Sequence, residues 1–412
     1  VHILISAFTC QPFRGSEPGV GWEWAKALSE ISDHDITVLT HAMNREPIER
    51  YRSIHPDFRV RFRYVDLANR LRRFGSPGHY VFYYLWQIRI LFHLLASGQW
   101  RQYDLVHHLT YGGIRSGSLL FLIPRPFLVG PLGGGEVAPP ALAQGLGEGR
   151  VRTEWVRVIG AMLGRIEPVL TLMQLRAVRM LAKTPATAKC LIWRRSRVHV
   201  AIEIGAPREP VPPPPRAPGA PFRILFAARM LYWKGCDFLV DAMKLIDDDV
   251  TEMELVIVGE GERTAPISEK IRALRHVRAI MTGRLPQQQL FDHYQAADLF
   301  VFPSLHDSSG NVVLEAMTFG LPVLCFDLGG PPLIAGDAAM AVNVDDANYD
   351  EACRRLAAAI RALRDDPERR AALSRAAVER ARKLSWHEAV RSGYGPLLNP
   401  ARATQAPPLR RP

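Results

Sequence analysis

The stretch from Leu299 to Pro331, LFVFPSLHDSSGNVVLEAMTFGLPVLCFDLGGP, admits few folds. Its apolar run Leu299 to Phe302 has the length of a buried strand and is closed by Pro303. A polar turn of small residues, His306 to Asn311, leads into a helical pattern from Val312 to Phe319 that Gly320 ends. A second apolar run, Pro322 to Phe326, closes into Gly329-Gly330-Pro331. Strand, loop, helix, strand is the repeating unit of a parallel α/β sheet. Asp307 falls in the loop and Glu315 eight residues on, in the helix. Ser308, Ser309 and Gly310, with Asn311 and Val312 behind them, bring backbone N–H groups to the helix start, where partial positive charge suits a diphosphate or sugar oxygens. A carboxylate can accept two hydrogen bonds from a vicinal diol. The spacing alone favours two surface acids on an ordinary helix.

Agreement along the whole stretch decides between the two. The pair Asp307 and Glu315 resembles the E-x(7)-E signature of retaining GT-B glycosyltransferases, in particular glycosyltransferase family 4, with Asp307 where the first Glu usually stands. Pro303-Ser304, the run Leu314-Glu315-Ala316-Met317 and the Gly329-Gly330-Pro331 exit agree with that family as well. The resemblance implies that Glu315 holds the ribose of a nucleotide and that Asp307 faces the hydroxyls of a donor sugar. Asp is one methylene shorter than Glu, so the sugar sits closer or carries a different hydroxyl pattern.

With 412 residues the chain is long enough for two domains, each with its own core. Five scattered cysteines, without metal spacing, point to a reducing compartment and no zinc site. No signal peptide is expected, because the apolar strand His2 to Ala7 runs straight into a motif. The best candidate for a membrane span, Tyr80 to Ala96, is short and has Arg89 in its middle, so a cytoplasmic protein is expected. Residues 1–205 carry 26 Lys and Arg against 15 Asp and Glu, whereas residues 206–412 carry 26 against 26. The basic excess of the first half points to an anionic partner, with a membrane surface or a lipid-linked phosphate ahead of nucleic acid, for which no motif is present.

In the first half, the strand His2 to Phe8 precedes a loop, Cys10 to Gly21, and a helix from Trp22 to Glu30. Gly15, Ser16, Gly19 and Gly21 in this loop permit close backbone approach, and GSEPGVGW is similar to the first-strand loop of family 4 transferases, which lies against the donor diphosphate and sugar. Strands follow at Ile36 to Thr40 and Val60 to Val65, and the basic stretch with Arg70, Arg72 and Arg73 adjoins an aromatic helix. Shallow membrane contact is expected from Arg70 to His79. His107 and His108 end a further strand, where ligands gather in parallel sheets. The family commonly has a histidine here beside the reacting carbon; His108 is the candidate and His107 the structural residue, with the reverse order open. Phe127 to Val129 is a strand leading to Gly130-Pro-Leu-Gly-Gly-Gly-Glu136, where Glu136 could face an acceptor. A flexible lip is expected up to Ile166, and a helix from Val169 to Leu181.

The proline run Val211 to Gly219 reads as a semi-rigid linker. Beyond it, the strand Phe222 to Ala228 ends at Arg229 and Lys234, and R-x(4)-K-G is similar to the family's diphosphate-binding pair. The resemblance sets the nucleotide base between Gly259–Gly261 and the segment Thr282 to Leu285, with base identity open. The chain is thus expected to be α/β with a GT-B fold: two Rossmann-like domains whose parallel sheets face a central cleft. Residues 1–205 bind the acceptor, 206–220 form the linker, 221–384 bind the nucleotide sugar, 385–399 form a helix returning to the first domain, and 400–412 form a disordered tail. The implied activity is retaining, metal-independent transfer from a UDP- or GDP-linked sugar to a saccharide or lipid-linked acceptor, with no cofactor, in surface glycan biosynthesis. His108, Asp307, Glu315, Arg229 and Lys234 are the catalytic candidates. A sugar-nucleotide 2-epimerase of the same fold, or a non-catalytic nucleotide-sugar-binding subunit, is the alternative.

Overall fold

A computed structural model of the chain describes residues 1–67, 75–114, 117–164, 167–217, 219–248 and 252–398. They form two compact units. The first comprises Val1–Gly135, Ala161–Ile204 and the chain from Trp386 on; the second comprises Glu136–Gly160 and Gly205–Ser385. Arg70, Arg72 and Arg73, and the tail from Pro400, lie outside the described residues.

The first unit runs β1 (His2–Ser6), α1 (Ser16–Ile31), β2 (Asp35–His41), α2 (Arg45–Ile54), β3 (Arg61–Val65), α3 (Gly75–Ala96), β4 (Leu105–His108) and β5 (Phe127–Leu132). After α4 (Arg150–Gly164), which the division between units cuts, come α5 (Pro168–Arg176), β6 (Arg179–Ala182), α6 (Pro185–Cys190) and β7 (Val198–Val200). The seven strands are parallel in the order β3-β2-β1-β4-β5-β6-β7. Burial on both faces explains why β1 and β5 read as largely apolar runs, while β4 closes its buried Leu105-Val106 with two buried histidines.

The second unit carries β8 (Phe222–Ala227), α7 (Cys236–Lys244), β9 (Met253–Val258), α8 (Thr264–Ile271), β10 (Arg278–Gly283), α9 (Gln287–Ala296), β11 (Leu299–Phe302), α10 (Asn311–Thr318), β12 (Val323–Phe326), α11 (Pro331–Ala335), β13 (Ala339–Val342), α12 (Tyr349–Asp365) and α13 (Pro367–Lys383). Its six parallel strands follow the order β10-β9-β8-β11-β12-β13. In each sheet the direction of winding reverses between two adjacent strands, β1 and β4 in the first and β8 and β11 in the second. Such switch points are where open parallel sheets bind ligands, beyond the strands' carboxyl ends.

The last helix, α14 (Trp386–Tyr394), belongs to the first unit. Its Tyr394 is fully buried and joins its hydroxyl to His107 Nδ1 at 2.8 Å, while Gly393 lies so close to Trp24 that a Cβ there would stand 2.5 Å from the indole. Burial of one such aromatic ring stabilises by about 1.5–3 kcal/mol.

Several local expectations need correction. The described part of the proline run has neither helix nor strand and is fastened to the second unit: Val211 N donates to Thr318 O at 2.9 Å, and Arg216 pairs with Asp298 at 3.1 Å. The flexible lip expected before Ile166 instead contains a 3-10 turn at Pro140–Leu146 and the helix α4. β6 replaces the last residues of the stretch expected to be helical, and β7, β10 and β13 are strands that the sequence does not announce. All five cysteines are free thiols and buried. Among the described residues, no single helix is long and apolar enough to cross a membrane.

Candidate active site

The second unit's switch point gathers the charged candidates. The turn after β8 carries Arg229 and Lys234, and the turn after the neighbouring β11 carries Asp307. Their backbones are tied directly: Trp233 O accepts Leu305 N at 2.9 Å and Ser304 Oγ at 3.0 Å. Gly235, at φ 84°, makes the approach possible, since a Cβ on it would lie 1.9 Å from Pro303 O. Lys234 Nζ consequently forms an ion pair and hydrogen bond with Asp307 Oδ2, both side chains being about five-sixths buried. Burial alone would raise the Asp307 carboxyl, but Lys234 and the backbone N–H groups of Ser309 and Gly310 outweigh it and hold the group below the usual carboxylate range. Arg229 is exposed, and among the described residues its guanidinium has no acceptor.

Glu315 lies one turn into α10, half-buried, with Tyr294 Oη 3.3 Å from its Oε2. Burial pushes its carboxyl up to about 7 against the opposing hydrogen bond from Tyr294. The helix start at Gly310, Asn311 and Val312 faces this region without a side-chain cap, and Asn311 Oδ1 is buried with no hydrogen-bond partner. Gly259 and Gly261 lie in the turn after β9, zipped to the Arg229 turn by Met230 N to Glu260 O and Arg263 N to Met230 O, both 2.9 Å. A Cβ at Gly259 would stand 1.9 Å from Ala228 O, and one at Gly261 2.6 Å from Met230 O, so these glycines serve backbone packing in the first place. Leu285 lies in the short connection between β10 and α9, partly buried.

In the first unit α1 begins at Ser16, not at Trp22 as expected, so Gly19 and Gly21 are helical, while Gly15 is the N-cap and Ser16 opens the first turn at φ 61°. Gly19 and Gly21 are needed where the helix meets its own preceding loop: a Cβ would lie 2.0 Å from Arg14 O and 2.3 Å from Thr9 O, respectively. Glu17, in the first turn, accepts a hydrogen bond from Tyr111 N after β4. The two histidines at the end of β4 differ in their bonding. His107 uses both ring nitrogens, with Tyr394 Oη at 2.8 Å and Gly130 O at 2.7 Å. His108 uses Nε2 with Tyr83 Oη at 3.0 Å, and its Nδ1 is buried without a partner of hydrogen-bond geometry. Burial lowers His107 to about 4, and burial together with His107 lowers His108 to about 3. Glu136, offered as an acceptor contact, is buried and groups with the second unit.

Sequence reasoning missed three participants. Tyr294, Tyr83 and a buried Glu154 on α4 all contact candidate residues or their turns from positions with no local motif. Among the described residues no group of three or more His, Cys, Asp or Glu side chains is placed to hold a metal ion.

Residues 208–380 match the family model described as glycosyl transferases group 1. Curated relatives include the D-inositol 3-phosphate glycosyltransferase of Segniliparus rotundus, 34% identical over 40% of this chain and 36% of that protein. Another is the sulfoquinovosyl transferase SQD2 of Arabidopsis thaliana, 32% identical over 48% of this chain and 35% of that protein. The matches thus span little more than a third of these relatives' length. Among solved structures, Anabaena HepE in complex with UDP and glucose is 16% identical with a TM-score of 0.57, covering 95% of this chain and 96% of that one. Sucrose-phosphate synthase from Thermosynechococcus elongatus is 17% identical with a TM-score of 0.60, covering 94% and 96%. These likenesses extend over both units and show the fold to be of the GT-B class.

Proposed function

We propose that the chain transfers a sugar from a nucleoside diphosphate donor to a hydroxyl, with retention at the anomeric carbon. The observation that carries this reading is the meeting of Lys234 and Asp307 at the switch point of the second sheet, within the residues that match the glycosyl transferases group 1 model. Lys234 and Arg229 supply two cations for a diphosphate, and the uncapped start of α10 supplies N–H donors. A diphosphate that draws Lys234 toward itself frees an oxygen of Asp307 to accept a sugar hydroxyl. Glu315 accepts from the ribose, and the base lies by Gly259, Gly261 and Leu285, in a UDP- or GDP-linked donor.

Charge on the leaving diphosphate is met by Arg229 and Lys234, so on this reading no divalent ion is required. The departing phosphate oxygen takes the acceptor's proton as the new bond forms on the same face of the sugar. Direct contact of His108 with that sugar would require the side chains that bury it to move aside. The acceptor is a saccharide, free or lipid-linked, in surface glycan synthesis; the basic first half supports an acceptor at an anionic membrane.

The test is incubation with a panel of UDP-, GDP- and ADP-sugars, with and without saccharide acceptors, and detection of released nucleoside diphosphate. Release from one donor is expected, and Lys234→Ala and Asp307→Ala should each lower it at least tenfold. A silent panel, together with a melting temperature that no nucleotide raises, would overturn the reading.

A further inference from the structure

The most deeply buried carboxylate near these turns belongs to neither of them. Glu154, on α4, has a fully buried side chain, yet no motif marks it and it lies outside the residues that match the family model. Its Oε1 accepts the Tyr232 hydroxyl at 2.7 Å and stands 3.3 Å from His306 Nε2; Arg157 approaches Oε2 at 3.9 Å. Tyr232 is two residues before Lys234, and His306 immediately precedes Asp307. One carboxylate oxygen therefore touches both turns. Around it, Trp233 stacks on the His306 ring with centroids 5.6 Å apart. Arg150, one turn earlier on α4, lies over the Tyr232 ring at 4.4 Å and pairs with Glu262 at 3.2 Å.

Burying a carboxylate is costly unless hydrogen bonds and opposite charge compensate it. An apolar residue would fill the same space without that cost, so packing does not account for a Glu here. What the carboxylate adds is a hydrogen bond to the Tyr232 turn and a close polar contact, at 3.3 Å, with His306 in the other.

We infer that Glu154 is a positioning residue of the donor site, a buried link that holds the Tyr232 and His306 turns in register so that Lys234 and Asp307 meet. This rests on the reading of Lys234 and Asp307 as donor ligands. Burial opposes ionisation of Glu154, but the Tyr232 hydroxyl and the His306 ring beside it outweigh burial and keep the carboxyl below its ordinary range, so the link is anionic at neutral pH. Glu154→Gln keeps an acceptor for Tyr232 and loses the charge facing His306; Glu154→Ala loses both.

Two measurements on the full chain test this. In hydrogen exchange, Glu154→Ala should speed exchange of the amides at 232–234 and 305–309 at least tenfold and leave those of β9 unchanged, with Glu154→Gln restoring most of the protection. In calorimetric titration with UDP and with GDP, Glu154→Ala should weaken whichever nucleotide the wild type binds at least tenfold, with Glu154→Gln within threefold. Tyr232→Phe should add little in the Glu154→Ala background, as expected for coupled groups. Unchanged exchange in both turns, or exchange accelerated throughout the unit alike, overturns the inference. A wild type that binds no nucleotide overturns the donor-site reading alone, and the exchange result still decides whether Glu154 holds the turns.

Discussion

Glu315 carries the sharpest consequence at the level of a single residue. Its carboxyl is raised to about 7 by burial, so near neutrality it passes from mostly protonated to mostly ionised. Because the folded value lies above that of an unfolded glutamate, the folded state binds the extra proton. The stability it contributes is full below the unfolded value, near pH 4, and is lost as pH rises through 7. A ribose diol donates to a carboxylate, so nucleotide binding should move the other way and tighten from pH 6 to pH 8. Roughly a tenth of the group is ionised at the first pH and nine-tenths at the second, which sets a ceiling of about ninefold. Glu315→Gln cannot titrate, and it shares every pH effect that comes from the nucleotide itself. The difference between the two binding profiles is therefore the measurement. Parallel profiles would remove Glu315 from the ribose.

Among the elements, two turns and one glycine decide whether the site is assembled. Gly235 adopts φ 84° with Pro303 O where a Cβ would be, 1.9 Å away. An L-residue in the left-handed region costs about 1–2 kcal/mol before any collision. Gly235→Ala should therefore destabilise by more than about 2 kcal/mol in urea titration, and the nucleotide-induced rise in melting temperature should vanish as Lys234 and Asp307 separate. A nucleotide response of wild-type size in a folded Gly235→Ala protein would mean that the contact between the turns is dispensable. The same elements show what a sequence can reveal. β1, β9 and β11 are buried on both faces, so their apolar runs announce them. β7, β10 and β13 are sheet edges with partly exposed residues, and β6 follows α5 through an apolar stretch in which helix and strand periods cannot be told apart. Lys234 and Asp307 were each legible from local motifs. Their contact, across 73 residues, was not, and Glu154 has no local signature at all.

The whole molecule adds a question of surface that neither unit's sheet answers. The first 205 residues hold the entire basic excess, while the remainder is balanced. α4 exposes Trp155, Val156, Ile159, Met162 and Leu163. At 100° per residue these fall within about 120° of arc, with exposed Arg152 on the same arc and buried Glu154 and Ala161 on the opposite one. An apolar helical stripe beside arginine suits the interface of an anionic bilayer, where rings and aliphatic chains sit at headgroup depth. The purified chain should therefore sediment with phosphatidylglycerol vesicles at low salt, with blue-shifted tryptophan emission. Raising the salt to about 0.5 M shortens the Debye length to roughly 4 Å and should release much of it. Trp155→Ser combined with Ile159→Ser should weaken binding at every salt concentration without moving the melting temperature, because both side chains are more than half exposed. Retention that salt abolishes but the double substitution leaves untouched would assign the attraction to the basic first half alone. No sedimentation at low salt would remove the membrane from the proposal and leave a free saccharide as the acceptor.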